Sequence, residues 1–140
     1  MRQALIITFL VITCISCASS HISLREQHPE AIDVNPPQRV PYIENEITIH
    51  AIEAVSSGKE YALLIEGEFP NPCTQILRVN ERRLIGTLEL KILGWQRYGE
   101  MCAEVITPFT FIYNIPKEQF QDIETVTANG TVKELTHSSN

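Results

Sequence analysis

Thr87-Leu-Glu-Leu-Lys-Ile-Leu93 is the stretch of sequence that decides the fold. Its residues at positions 88, 90 and 92 are apolar, and the residues between them are polar or charged. Alternation with a period of two is typical of a β-strand that buries one of its faces. A second run, Phe109–Ile115, repeats the pattern with two phenylalanines, a tyrosine and an isoleucine on one face. Both runs predict a β fold.

Five further segments bring the predicted set to about seven strands. They are Glu46–Val55, Glu60–Gly67, Gln75–Val79, Thr125–Ala128 and Thr131–Leu135. Asn129-Gly130, between the last two, suits the positive φ angles of a tight hairpin turn. Residues 116–121 are predicted to form one helical turn at most. Short strands separated by turn signals predict an antiparallel β-sandwich.

The composition is that of an ordinary globular protein. Its 140 residues are 44% hydrophobic and 20% charged, which argues against a disordered chain, a collagen and a multi-span membrane protein. Eleven Lys and Arg against 17 Asp and Glu give a net charge of −6. A nucleic-acid-binding protein needs a basic face, so that class is not expected.

Residues 1–17 are predicted to be a signal peptide with a lipobox-like end. One basic residue precedes the mostly apolar run Ala4–Ile15, which has the length of a signal-peptide core and is shorter than the ~20 residues that span a bilayer. Ile15-Ser16-Cys17 resembles the end of a bacterial lipobox, so Cys17 is the predicted lipidation site. Cys14 is a second candidate, and simple cleavage after Ala18 is the alternative.

Three further boundaries follow from the pattern. Residues 18–45 contain several breakers and no sustained periodicity, and they are predicted to be a flexible tether. Residues 46–136 are predicted to form the sandwich domain, and residues 137–140 a disordered tail.

Cys73 and Cys102 are predicted to form a disulfide. With Cys14 and Cys17 assigned to export and anchoring, these two are left for the fold, and an exported protein meets an oxidising compartment. The bond would contribute ~3.5 kcal/mol to stability in the chain-entropy model. The alternatives are a reactive thiol, which needs an activating base, or a metal pair, which needs two further ligands. His50, the histidine nearest in the body of the chain, lies in a predicted strand.

The surroundings of these cysteines carry a resemblance. Gly67-Glu-Phe-Pro-Asn-Pro-Cys73 and Cys102-Ala-Glu-Val-Ile-Thr-Pro-Phe109 form the pattern G-x-x-P-x-x-C … C-x-x-x-x-x-P-F. With Asn129-Gly130, this pattern resembles a domain that recurs in bacterial secreted proteins and lipoproteins. The resemblance covers about half of the chain and departs from the pattern at Asp122-Ile-Glu-Thr, where such domains have Gly-x-Tyr. It implies an all-β, immunoglobulin-like sandwich and brings no enzymatic activity and no catalytic residues.

Gly94-Trp-Gln-Arg-Tyr-Gly99 is the predicted partner-binding loop. Trp95, Arg97 and Tyr98 belong to the residue types that dominate binding hot spots. The alternative is that Trp95 packs over the disulfide and Tyr98 closes the end of the sandwich.

The sequence carries no recognised catalytic motif. It contains no G-x-S-x-G, no H-E-x-x-H and no phosphate-binding glycine loop. Glu66 and Glu68 share a strand face, whereas a glycosidase needs two carboxylates that face each other across a cleft. We therefore predict no catalytic residue, no metal, no cofactor and no enzymatic activity.

These observations predict an exported, lipid-anchored, non-enzymatic binding or structural module of the bacterial envelope, in the outer or cytoplasmic membrane. The expected partner is an envelope or extracellular protein, with a membrane contacted through the N-terminal lipid and no nucleic acid bound. The alternative is a small secreted, soluble inhibitor of an extracellular protease or wall hydrolase.

Overall fold

A computed structural model describes residues 22–136 of the chain. The predicted signal peptide, the lipidation candidates Cys14 and Cys17, cleavage after Ala18 and the predicted tail at 137–140 lie outside these residues.

The described residues form eight strands and two one-turn helices. In chain order they are α1 (Leu24–Gln27), β1 (Tyr42–Glu46), β2 (Thr48–Ser57), β3 (Glu60–Phe69), β4 (Gln75–Leu84), β5 (Thr87–Arg97), β6 (Thr107–Ile115), α2 (Lys117–Phe120), β7 (Thr125–Ala128) and β8 (Thr131–Glu134). The predicted all-β fold is confirmed, and α2 is the helical turn expected after Ile115.

The strands are divided between two sheets. One sheet has the order β2-β3-β6. In the other, β5 is central, with β4 along one edge and β1 and β7 sharing the opposite edge. β8 extends this sheet by pairing with β7.

The pairing is antiparallel except between β5 and β7, which run parallel. The predicted antiparallel sandwich is thus antiparallel in every pair but this one. The reason lies in the chain path, since the chain leaves β5 for β6 in the other sheet, turns at α2 and returns as β7. Two reversals of direction leave β7 pointing the same way as β5.

One hydrophobic core lies between the sheets. The alternation read from residues 87–93 is seen as burial, with Leu88, Leu90 and Ile92 of β5 at most 3% exposed. Phe109 and Phe111 of β6 belong to the same cluster. Burying each such side chain contributes roughly 1.5–3 kcal/mol, so these two strands hold the sheets together.

The predicted hairpin at Asn129-Gly130 is present, and its asparagine also joins β5 to the connection between β1 and β2. Both residues have positive φ, 46° and 92°, as a tight turn between twisted strands requires. The Asn129 amide donates to the carbonyl oxygens of Ile47 and Ile92 at 3.0 and 2.8 Å, and its oxygen accepts from the Ile92 N–H at 2.9 Å.

Residues 22–41, here called the N-terminal belt, wrap around the sandwich. The Leu24 N–H donates to Glu60 of β3 at 3.1 Å, and the Ile32 N–H donates to Thr110 of β6 at 2.8 Å. The Asn35 N–H then donates to Ile76 of β4 at 2.9 Å. The belt therefore crosses from the β6 edge of one sheet to the β4 edge of the other.

The belt overturns part of the predicted tether. Leu24 and Ala31 are each 3% exposed, and β1 begins at Tyr42, so residues 22–45 lie against the sandwich and the tether prediction is wrong there. A capping box between Ser23 and Glu26 starts α1. Since this helix is a single turn, its sequence is too short to show a helical period.

The sandwich has two ends that differ in what they carry. The basal end holds Ile22, whose carbonyl oxygen accepts from Ser57 at the β2–β3 turn. It also holds α2, because the rings of Tyr61 and Phe120 lie 5.1 Å apart. The apical end, at the opposite end of β3 and β5, holds the β3–β4 connection and residues 98–106, here called the apical loop.

Candidate functional site

The apical loop exposes four large apolar side chains. Tyr98 is 71% exposed and Met101 98% exposed, and Val105 and Ile106 follow at 59% and 64%. Four exposed large apolar side chains within nine residues are more than the singly scattered ones that are normal on a soluble protein, and such groups commonly mark binding surfaces. This loop is therefore the candidate site.

A disulfide fixes the loop to the neighbouring connection. Cys73 and Cys102 are bonded with an S–S distance of 2.02 Å and Cα atoms 6.1 Å apart, so the predicted pairing is confirmed. The bond joins the β3–β4 connection to the middle of the apical loop. It holds the exposed side chains in a narrow range of positions.

Half-buried amide side chains and the buried Thr74 hydroxyl hold the Cys73 side of the disulfide. The Cys73 N–H donates to the side-chain oxygen of Asn71 at 3.1 Å, and the Asn71 amide donates to Gln96 of β5 at 2.7 Å. Asn45 of β1 donates to the same Gln96 oxygen and to Thr74. The disulfide is thus attached to β1 and β5 rather than to a loose turn.

Trp95 does not belong to this exposed surface. It is 8% exposed and lies within β5, where its ring Nε1 donates to the carbonyl oxygen of Asn35 in the belt. The Tyr42 ring meets it edge-on with centroids 6.0 Å apart. The predicted binding role is therefore not available to Trp95, which packs beneath the belt.

Arg97 and Tyr98 are exposed, as the predicted loop requires. Arg97 ends β5 opposite Tyr42, and the Tyr98 N–H donates to the Pro41 carbonyl oxygen at 2.9 Å. The structure thus places two of the three predicted binding residues at the apical end. It adds Met101, Val105 and Ile106, which the sequence analysis missed although their run without alternation, after Gly99, was a visible signal.

The charged groups of the loop are acidic. Glu100 and Glu104 are both exposed, and a Glu100 carboxylate oxygen lies within 4.8 Å of both cysteine sulfurs. This grouping has the composition of a metal site, but the sulfurs share a covalent bond and offer no thiolate for coordination. The acidic groups instead give the apolar patch a negative rim.

The carboxylates considered for glycoside chemistry lie elsewhere. Glu66 and Glu68 are neighbours at two-residue spacing on β3, and Glu68 pairs with His50 of β2 at 2.9 Å. Both lie on the outer side of one sheet, next to each other rather than opposed across a cleft, and so lack the arrangement that glycoside hydrolysis requires.

A second polar cluster closes the gap between β4 and β6. The Tyr113 hydroxyl and the Arg83 Nε both donate to the carboxylate of Glu81. Burial and the adjacent carboxylate raise the pKa of Tyr113 to about 12, and the hydrogen bond from Arg83 lowers the pKa of Glu81. This cluster bridges the two sheets on the side where no backbone ladder joins β4 to β6.

The two sheets and the Cys73–Cys102 disulfide define a β-sandwich domain with one exposed loop that the disulfide holds in place. Residues 63–137 match the family described as the ORF11 beta-sandwich domain, and the chain belongs to that family. The matched range contains both cysteines and the whole apical loop. Comparison with curated proteins and with solved structures found no match.

Within residues 22–136, no helix is long and apolar enough to cross a membrane.

Proposed function

We propose that this protein is an exported, lipid-anchored, non-enzymatic module of the bacterial envelope that binds a protein partner through its apical loop. The observation that carries the proposal is the set of four exposed apolar side chains on a loop that a disulfide holds in place. A loop ordered before binding loses little conformational entropy when a partner docks.

The position of the loop supports this role. The belt begins at the basal end, where Ile22 contacts Ser57, and the apical loop lies at the opposite end of the sandwich. An N-terminal lipid on Cys17 would hold the basal end near the membrane and leave the loop facing away from it. A partner in the envelope space would then have free access.

The chemistry of the loop indicates the kind of partner surface. Tyr98 and Met101 would fill an apolar depression, and Glu100 and Glu104 would face basic groups at its rim. Interfaces commonly combine an apolar centre with a charged rim that steers association. We therefore expect binding to weaken at high ionic strength without being abolished.

Photo-crosslinking in intact cells tests the binding surface. A benzophenone amino acid in place of Met101 should give one defined adduct, whereas the same probe at Val132, an exposed position on β8, should give none. Ile106→Asp introduced beside the probe should remove the adduct. Equal crosslinking from both positions would argue against a binding role for the loop.

Metabolic labelling with a fatty-acid analogue tests the anchor. The wild-type chain should incorporate the label and Cys17→Ser should not. Labelling that survives in Cys17→Ser would remove Cys17 as the anchor, and Cys14→Ser would then be the next variant to examine.

A second candidate function is inhibition of an extracellular protease or wall hydrolase. The exposure of Met101 directly beside a disulfide-bonded residue favours it, because rigid exposed loops form tight protease–inhibitor complexes. An inhibitor should reduce proteolysis or wall lysis in proportion to its concentration, and Met101→Asp should abolish the effect. A binding module without inhibitory activity should leave both rates unchanged.

A further inference from the structure

The β4–β5 turn presents two consecutive apolar side chains to solvent. Leu84 is 52% exposed and Ile85 is fully exposed. Gly86 follows with φ +70°, a conformation that turns the chain sharply and leaves Ile85 at the tip. Neither side chain belongs to the core cluster, so this tip makes no contribution to the packing of the sandwich.

The tip lies at the basal end, where the belt begins. Residues 119 and 121–124, around the end of α2, line one groove together with Leu84 and Ile85. The ring of Phe120 lies against Tyr61, next to Glu60, which accepts the Leu24 N–H. The apolar tip and the first residues of the belt therefore occupy the same end of the molecule.

The chain that precedes the structure leads from this end towards an apolar segment. Residues 1–21 stand before Ile22 and include the mostly apolar run Ala4–Ile15. From the predicted lipidation site Cys17, six residues, 18–23, lead to Leu24. The seven steps from Cys17 to Leu24 span at most ~25 Å when the chain is fully extended. An anchor at Cys17 therefore keeps the basal end within that distance of the membrane.

We propose that Leu84 and Ile85 insert into the lipid surface and seat the domain on the membrane by its basal end. This inference rests on the lipid anchor of the proposed function, and it adds a second contact and a fixed orientation. Two weak attachments close together bind far better than either alone, because the first raises the local concentration of the second.

Insertion of apolar side chains, rather than attraction between charges, holds the basal end against the membrane. The exposed basic groups at this end are Lys59, Arg82, Arg83 and Lys117, and the exposed acidic groups are Glu60, Glu118, Asp122 and Glu124. Arg82 and Arg83 are also paired with Glu89 and Glu81. With Glu81 and Glu89 counted, acidic groups outnumber basic groups at this end. Attraction to anionic lipid therefore does not carry the contact, and we expect the contact to persist at high ionic strength.

Depth-dependent fluorescence quenching on the lipidated full-length chain tests whether Leu84 and Ile85 insert into the lipid surface. The chain is reconstituted into vesicles of phosphatidylethanolamine and phosphatidylglycerol that carry brominated acyl chains. Ile85→Cys bears an environment-sensitive fluorophore, and Met101→Cys at the apical end is the matched control. We expect the label at 85 to lose most of its fluorescence at both low and high salt, and the label at 101 to keep it.

The outcomes separate the two proposals. Vesicle flotation measures attachment through the lipid. A chain that does not float overturns the lipid anchor and, with it, the insertion of Leu84 and Ile85 that depends on the anchor. A chain that floats with an unquenched label at 85, or with equal quenching at 85 and 101, overturns the insertion of the tip and leaves the lipid anchor standing. With the fluorophore moved to Leu84→Cys, Ile85→Asp should restore its fluorescence, and persistent quenching would contradict insertion of the tip.

Discussion

Trp95 is a structural residue although its neighbours in sequence are exposed. It is 8% exposed and donates its ring N–H to the belt at Asn35. Trp95→Phe keeps most of the apolar contact but leaves the Asn35 carbonyl without this donor, so we expect a loss of about 1–3 kcal/mol in the free energy of unfolding. Urea denaturation measures it.

Tyr98→Ala is the matched control for Trp95. Its ring is exposed, so the free energy of unfolding should change by less than about 0.5 kcal/mol, while crosslinking from the apical loop weakens. If the two variants had equal stabilities, Trp95 would not be holding the belt.

Tyr113 should make stability depend on alkaline pH. Its pKa is raised from 10.0 to about 12 in the folded protein by burial and by the Glu81 carboxylate. The folded state therefore keeps a proton that the unfolded state loses. The resulting stabilisation is complete below about pH 10 and is lost as the pH rises towards about 12.

Tyr113→Phe removes this titration. Urea midpoints across that pH range should fall less in the variant than in the wild type, because the other tyrosines and the lysines titrate in both. Parallel curves would show that the Glu81 contact does not couple to folding.

The burial of some side chains can be predicted from the sequence, and the burial of others cannot. The alternation at 87–93 predicted the burial of Leu88, Leu90 and Ile92 correctly, because a period of two is a local property. The burial of Trp95 depends on Asn35, sixty positions away, and no local pattern contains that contact. Met101 and Val105 were missed because their exposure depends on how the disulfide places the loop, which no local pattern contains.

Among the elements, the belt is the one whose stability can be separated from that of the sandwich. Leu24 is 3% exposed and its helix contacts β2. Leu24→Ala should cost about 2 kcal/mol or more, most of it in local opening of the belt. Native-state hydrogen exchange should show faster exchange of the Ile32 and Asn35 amides.

Ile22→Ala provides the comparison, since Ile22 is 54% exposed and its removal should leave these amides unchanged. Identical exchange rates in the two variants would mean that Leu24 does not fasten the belt.

The elements that the sequence did not predict share a physical cause. β1 and the second half of β4, Asn80–Leu84, are mostly exposed, with Tyr42, Ile43 and Leu84 among their exposed residues. Burial therefore leaves no alternation in them. Backbone hydrogen bonds to β5 define both. Edge segments of this kind form strands because they pair with a neighbouring strand. β3, β5 and β6 form strands because each buries an apolar face of its own.

For the molecule as a whole, the disulfide should matter both for stability and for the shape of the apical end. It closes a loop of 29 residues, and replacing both cysteines by serine should cost ~3.5 kcal/mol in the chain-entropy model. Limited proteolysis should then cut within residues 99–106 faster than in the wild type.

A reductant supplies the control for the disulfide. It should lower the urea midpoint of the wild-type protein and leave the double serine variant unaffected. Intact masses with and without reductant should differ by two hydrogens, as one bridge requires. A wild-type midpoint indifferent to reduction would mean that the hydrogen bonds of Asn71 alone hold the apical end.

The belt also sets an order of events during synthesis. Residues 22–41 leave the ribosome before any of the strands, yet their partners are residues made later, among them Glu60, Ile76, Trp95 and Thr110. The contacts of the belt thus cannot be completed before β6 has been made, and closing so long a loop is slow. Until the belt closes, the ring N–H of Trp95 and the carbonyl groups of Ile76 and Thr110 stay open to solvent.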